Sequence, residues 1–411
     1  MFDNVRDYIR KSYDLPLIGR VCRRLERLVH GKRLRRYEID SVYEYCKRHG
    51  YRVDIVEPEK ERMVYKPEFF GQSFGEEFFY KSSVIYVAEL SDVYAVGCTG
   101  VILSGKVLLS DELKSNEERY KLTYGPLKSY NNRIAILETT NKIKEIDSAI
   151  NLCGFASENY YHFTMEILSR YSYIDRMIDD KDVPVLIDDS VCRYPQMVEL
   201  LKTVIYNRHV IFLKYSERAR VGKLYYPSMN TWLPINVKSR EDFKVSDNLI
   251  AGSGVYNIRD AAKELIEKQT ERKVFISRKN TKNSRIVNEE EVVKLFHERG
   301  YEIVCTEMLS YKEQIELFST ARCIVGASGA AMTNLIYCNK GTVFGCLISE
   351  ESRFYIYSTI AHLVGLITLF MDLEVFEKSS ITSGDRLRVD IDECDKYISK
   401  LDSMCENRKN G

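Results

Sequence analysis

Residues Lys273–Tyr337 read KVFISRKNTKNSRIVNEEEVVKLFHERGYEIVCTEMLSYKEQIELFSTARCIVGASGAAMTNLIY. Three β-branched apolar runs, Val274–Ile276, Tyr301–Cys305 and Cys323–Val325, alternate with two segments of helical periodicity. Both helices carry start signals. Ser310 with Glu313 forms a capping box, and Asn288 with Glu291 is its Asn-led variant. Strands and helices alternating at this length predict parallel βαβ units, whose ligands sit outside the carboxyl ends of the strands. The residues falling at those ends are polar or small: Ser277 and Arg278, then Glu307, then the run Gly326-Ala-Ser-Gly-Ala-Ala-Met-Thr-Asn334. The last run opens a helix, so its backbone N–H groups and the helix dipole favour an anion. Arg278, Lys279, Lys282 and Arg285 follow the first strand and supply countercharge. This is the chemistry of a nucleotide-diphosphate pocket. A strand, small residues and a helix also occur in α/β proteins without a ligand there. The run is neither a dinucleotide G-x-G-x-x-G nor a Walker loop, which disfavours a nicotinamide oxidoreductase.

A second stretch, Ser148–Met177, reads SAINLCGFASENYYHFTMEILSRYSYIDRM. It predicts a strand over Ala149–Cys153, a turn, and a helix over Asn159–Arg176. His162 and Glu166 stand four apart and share one helix face. In the first turn the positive dipole end favours a neutral imidazole able to accept a proton. A histidine with a purely structural hydrogen bond fits the same spacing.

These spaced motifs, ISRK…R…NEEEV, EMLSYKEQIELF and IVGASGAAMTNLIY, with the Asn159-Tyr-Tyr-His-Phe163 element, Glu166 and Arg170, resemble glycosyltransferase family 61. The likeness covers about Tyr80 to Leu401. It implies a GT-B-like α/β architecture, two Rossmann-like domains facing across a cleft, with a small N-terminal β layer; the composition of the first residues adds a basic helical leader. The expected bounds are 1–50 for the leader, 51–250 for an acceptor-side domain, 251–390 for a nucleotide-sugar domain, and 391–411 for a C-terminal helix and tail. The reaction it implies is inverting transfer from a nucleotide-sugar, a UDP-sugar first, to a hydroxyl of a glycan or lipid-linked glycan in bacterial surface-polysaccharide synthesis. No cofactor or metal is implied. Ser277, Arg278, Arg285, Glu307, Ser328, Gly329, Ala330, Thr333 and Asn334 map to the donor side. Asn159, Tyr160 and Arg170 map to the acceptor or interdomain side. His162 and Glu166 are the catalytic pair, either one being the base. A non-catalytic sugar-binding subunit of an assembly complex is the alternative. Two positions depart from the family pattern: Gly345-Cys346 stand where relatives place a ribose-binding glutamate, and Ser328 where many have histidine.

The remaining chain sets boundaries. With 411 residues, 45% hydrophobic and 29% charged, it has material for two cores. A net charge of +1 argues against a nucleic-acid partner. Eleven cysteines without framework spacing read as free thiols. No signal-peptide pattern opens the chain and no apolar run approaches bilayer length, which points to a cytoplasmic enzyme. Residues 10–36 carry ten basic and two acidic side chains, with Ile18, Val21, Leu25 and Leu28 at helical spacing. That pattern fits a basic helix packed on its own domain, or one lying on an anionic membrane through residues 1–40. Tyr94–Val96, Gly100–Leu103 and Lys106–Leu109 predict a separate antiparallel layer, and residues 242–257 a linker. The lone Trp232 reads as a core or interface anchor, with sugar stacking as the other use. Asp390-Ile-Asp392 reads as a helix cap rather than a metal motif.

Overall fold

The computed structural model describes residues 31–72, 76–114, 119–131, 133–280, 284–379 and 384–407. Two sheets carry the fold. In chain order the strands of the first half are Lys32–Asp40 (β1), Arg52–Glu57 (β2), Glu61–Lys66 (β3), Glu76–Lys81 (β4), Ile85–Val96 (β5), Ile102–Ser104 (β6), Val107–Leu109 (β7), Leu127–Tyr130 (β8), Ile134–Thr140 (β9), Ile143–Asn151 (β10), Val185–Asp188 (β11), Val210–Leu213 (β12) and Arg218–Pro227 (β13). All but the β3–β4 hairpin join one eleven-stranded mixed sheet, ordered β12-β11-β10-β13-β5-β6-β7-β1-β9-β8, with β2 also on β5. Its β12-β11-β10-β13 end is parallel. The second half adds Lys273–Ile276 (β14), Glu302–Val304 (β15), Cys323–Ala327 (β16), Val343–Ile348 (β17) and Ile367–Asp372 (β18). These form a wholly parallel sheet ordered β15-β14-β16-β17-β18. In this doubly wound order the direction of strand addition reverses between β14 and β16, where a crevice opens for ligands.

The halves are not independent bodies. One apolar core runs through both, joining Leu152, Phe163 and Leu168 to Val255, Leu335 and Ile336. The β3–β4 hairpin reaches across to the helix Ile356–Val364, where Tyr65 N–H donates to Thr359 Oγ1 at 3.0 Å. Beneath the second sheet the helix Ile391–Asn407 packs with Tyr397 Oη donating to the Leu369 carbonyl at 2.7 Å.

Several expectations are corrected. Residues 1–30, most of the expected basic leader, lie outside the described residues, and Lys32–Asp40 is a strand rather than the end of a helix. Tyr37 and Ile39 point inward at period two, and the strand pairs antiparallel with β9 from Lys32 to Glu38. The expected separate β layer is built into the large sheet, as β5, β6 and β7. Residues 242–257 are no free linker: Asp247 is buried and ion-paired to Arg119 at 2.5 Å, and a helix begins at Gly252. Asn288 opens its helix without capping it; its side chain instead bonds Val389 on both polar atoms. Ser310 and Glu313 do form the capping box, and Asp390 caps its helix through Glu393 N–H at 3.0 Å. The ten described cysteines are free thiols. Among the described residues no helix is long and apolar enough to cross a membrane.

Candidate functional site

The predicted helix over Asn159–Arg176 is three short pieces: a π turn His162–Ile167, a 3-10 turn to Arg170, and an α turn Tyr171–Asp175. Polar side chains bond back to the helix along this irregular stretch. Thr164 Oγ1 donates to the Tyr160 carbonyl at 2.7 Å, and Ser169 Oγ to that of Met165 at 2.6 Å. Asn159 caps the entry, its Oδ1 accepting the N–H of Tyr161 at 2.9 Å. In this frame His162 Nδ1 meets Glu166 Oε2 at 2.7 Å, while Glu166 Oε1 accepts the Leu233 N–H at 2.6 Å. Both carboxylate oxygens are therefore committed inside the protein, and Glu166 is buried. His162 instead lines a hollow of about 270 Å³. With Nδ1 donating to the carboxylate, Nε2 is the ring nitrogen left to accept a proton.

Arg285 lines the same hollow as His162. Among the described residues it makes no ion pair, and burial, then the neighbouring Arg278, hold its guanidinium down to about 10. Burial likewise lowers Arg278. Arg278 Nη1 donates to the Ser328 carbonyl at 3.1 Å, and the guanidinium lies so close over Gly329 that a Cβ there would run into it. The loop holding Arg278 is pinned by Glu289, whose Oε1 accepts Ser277 Oγ at 2.9 Å and Arg278 N–H at 2.5 Å. Glu289 Oε2 takes Ser284 Oγ at 2.6 Å. Tyr161, also on this hollow, has a buried phenol oxygen with no hydrogen-bond partner among the described residues, an arrangement that calls for a ligand or water. Gly329→Ala is expected to displace the Arg278 side chain while the thermal midpoint stays near wild type, and to weaken any binding of inorganic pyrophosphate at this turn by about tenfold or more; unchanged affinity would separate Gly329 from any anion held by Arg278.

A second hollow, of about 380 Å³, lies at the β14/β16 switch point and shares Asn159, Gly329 and Ala330 with the first. Ser277, Arg278, Thr306 and Glu307 line it from the second half, and Tyr194 and Met197 from the first. Glu307 is exposed at its rim. The halves are tied here: Tyr160 Oη donates to Asn334 Oδ1 at 2.6 Å, and Asn334 Nδ2 to Gln314 Oε1 at 2.8 Å.

Not every predicted residue reaches the open space. Ser328 and Thr333 are buried behind the wall, and Arg170 bonds the carbonyls of Ile167 and Pro227 at 3.4 and 3.1 Å, lining neither hollow. Ala330 opens a 3-10 helix, Ala330–Tyr337, rather than the expected α-helix. Gly345 and Cys346 lie inside β17, not at its end; Cys346 is buried beside Arg285. The end of β17 is followed by Ser349 and Glu350, the latter paired with Lys66 at 2.8 Å. Lys282 lies outside the described residues. Glu289, Tyr194, Gln314 and Tyr357, which lines the first hollow, were missed. Glu289 and Gln314 lie inside quoted motifs, but Glu289 reads as an ordinary acid in a helix's first turn and Gln314 as a plain helix residue.

Residues 160–345 match the family model described as Glycosyltransferase 61. No curated protein matches the chain. The matched region contains His162, Glu166, both arginines and the Gly329 turn, and the family implies glycosyltransferase activity.

Proposed function

We propose that this chain, a member of glycosyltransferase family 61 through residues 160–345, moves a sugar from a nucleotide-diphosphate donor to a hydroxyl of a glycan or lipid-linked glycan, with inversion. A UDP-sugar is the first donor to try. One observation carries the proposal: His162, held by Glu166, lines the same hollow as Arg285, which makes no ion pair among the described residues. Sugar transfer needs a base at the attacking hydroxyl and positive charge where the diphosphate leaves. His162 Nε2 takes the acceptor proton as the oxygen attacks the anomeric carbon from the side opposite the diphosphate, a single displacement that inverts. Arg278 and Arg285 receive the charge of the departing diphosphate, and the switch-point hollow beside them holds the nucleoside. In this scheme the halves work as the two lobes of a GT-B-like enzyme. An assignment to surface-polysaccharide synthesis at the inner face of an anionic membrane belongs to the same proposal. It is supported by Arg36, Lys106, Lys114 and Arg133 around one shallow hollow of the large sheet. Calorimetry with UDP-, GDP-, CMP- and dTDP-sugars tests the proposal: one donor class binds and turns over with acceptor, and binding of none overturns it.

Metal independence is a second part of the proposal. Among the described residues no three His, Cys, Asp or Glu side chains gather as a metal site, and two arginines can take the diphosphate charge. Turnover is expected to survive excess EDTA. Activity lost on chelation and restored by Mn²⁺ would assign that charge to a metal instead.

A further inference from the structure

A third hollow, of about 340 Å³, lies in the first half and shares no lining residue with the other two. Its wall combines the rings of Trp232 and Tyr120, which meet edge to face at 5.0 Å, with hydroxyl, amide and carboxylate side chains. Two of its polar atoms are buried with no hydrogen-bond partner among the described residues, Ser82 Oγ and one end of the Asn230 amide. Asn230 is only 7% exposed, and the first end of its amide meets Ser169 Oγ at 2.8 Å. The Ser169 hydroxyl, its proton given to the Met165 carbonyl, accepts from the amide N–H there, so the other end is the one left without a partner among the described residues. Buried polar atoms left over at a cavity wall await a polar ligand or water.

Charge narrows the ligand class. The cations at this wall each have a carboxylate: Arg119 has Asp247 at 2.5 Å, Lys81 has Glu59 at 2.5 Å, and Arg62 has Glu57 at 3.2 Å, which it shares with Lys60. Asp111 and Glu112 line the hollow with no salt bridge to either among the described residues. Arg170 acts on Glu112 but does not line the hollow, so these two carboxylates meet a ligand without a cation of their own at the wall. Burial, then Asp111, raises the Glu112 carboxyl. Such a wall repels phosphate and uronate, while carboxylates accept from sugar hydroxyls and aromatic rings cover sugar C–H faces. The strap Ser228–Val237 joins this hollow to the catalytic one: Trp232 lines the first, and Leu233, bonded to Glu166, lines the second.

We propose that this hollow is a subsite for an uncharged sugar unit of the acceptor glycan, one strap away from His162. The acceptor role rests on the glycosyltransferase reading, whereas binding is measurable without turnover. Trp232 is the sole tryptophan, so the intrinsic emission of the full chain reports this hollow. We would titrate the chain with di- to tetrasaccharides of glucose, galactose and N-acetylglucosamine, and with galacturonate oligomers as the charged comparison. At least one neutral oligomer is expected to give a saturable change, weakened about tenfold or more by Glu112→Gln. Ser83→Phe, at an exposed position of the rim, should block it. Galacturonate should bind wild type far more weakly and gain affinity in Glu112→Gln, a gain that loss of folding would not produce. Silence with every neutral oligomer, a response unaltered in both variants, or galacturonate binding as well as neutral sugar would each overturn the subsite. Donor calorimetry on the same samples separates the two proposals: nucleotide binding with a silent Trp232 removes the subsite and leaves the transferase standing.

Discussion

His162→Ala is expected to lower kcat by about 10²–10⁴, the usual contribution of a general base, with donor affinity near wild type. In the proposed mechanism the two residues take different roles. Glu166 has one oxygen on His162 Nδ1 and the other on Leu233 N–H, so neither faces the hollow. Its tasks are to fix the imidazole tautomer and to stabilise the imidazolium formed as the proton transfers, the part a carboxylate plays beside a catalytic histidine. Glu166→Gln keeps an oxygen and the shape but removes the charge, and its loss should be smaller than that of His162→Ala. Single-turnover rates across pH check this. Added imidazole should restore part of the rate lost in His162→Ala, which it would not do for a structural histidine. A per-folded-molecule rate unchanged in His162→Ala would return this residue to a structural role. Greater damage in Glu166→Gln than in His162→Ala would reverse the assignment.

The second half was legible because its information is local. β-branched runs, the Ser310–Glu313 box and the Gly-rich turn each specify an element within a few residues, and the parallel sheet follows from their alternation. What was not legible depends on distant partners. β1 looks like the end of a basic helix until β9, about a hundred residues on, supplies its ladder. The π turn at His162 suits a buried carboxylate that must reach the Leu233 N–H, 67 residues away. Residue identity pointed to Arg278 and Arg285, but their unequal commitment is a property of the fold. Arg278 holds a carbonyl of the glycine turn, whereas Arg285 is left to the hollow. The wall formed by Tyr194 and Met197 had no signal, since helix residues that line a ligand space look like those that pack a core.

That inequality makes Arg285→Met the sharper test of the anion site. Removing Arg278 would also disturb the Ser328 turn, so lost affinity there mixes ligand contact with local repacking. Arg285 gives up no ion pair among the described residues, and burial together with Arg278 already disfavours its charge. An unpaired cation in such a place costs stability in the free protein, and methionine of similar length relieves that cost. Nucleotide-diphosphate affinity should therefore fall by about 10- to 100-fold, the equivalent of roughly 1.5–3 kcal/mol for a lost charge-assisted bond, while the thermal midpoint stays at or above wild type. The nucleoside without phosphates should bind both proteins alike, because its proposed seat is the neighbouring hollow. Calorimetry with diphosphate and nucleoside, set beside thermal melts, reads all three quantities. A variant that melts earlier and loses nucleoside as well as diphosphate would make Arg285 a structural cation. One that keeps full diphosphate affinity would move the anion site elsewhere.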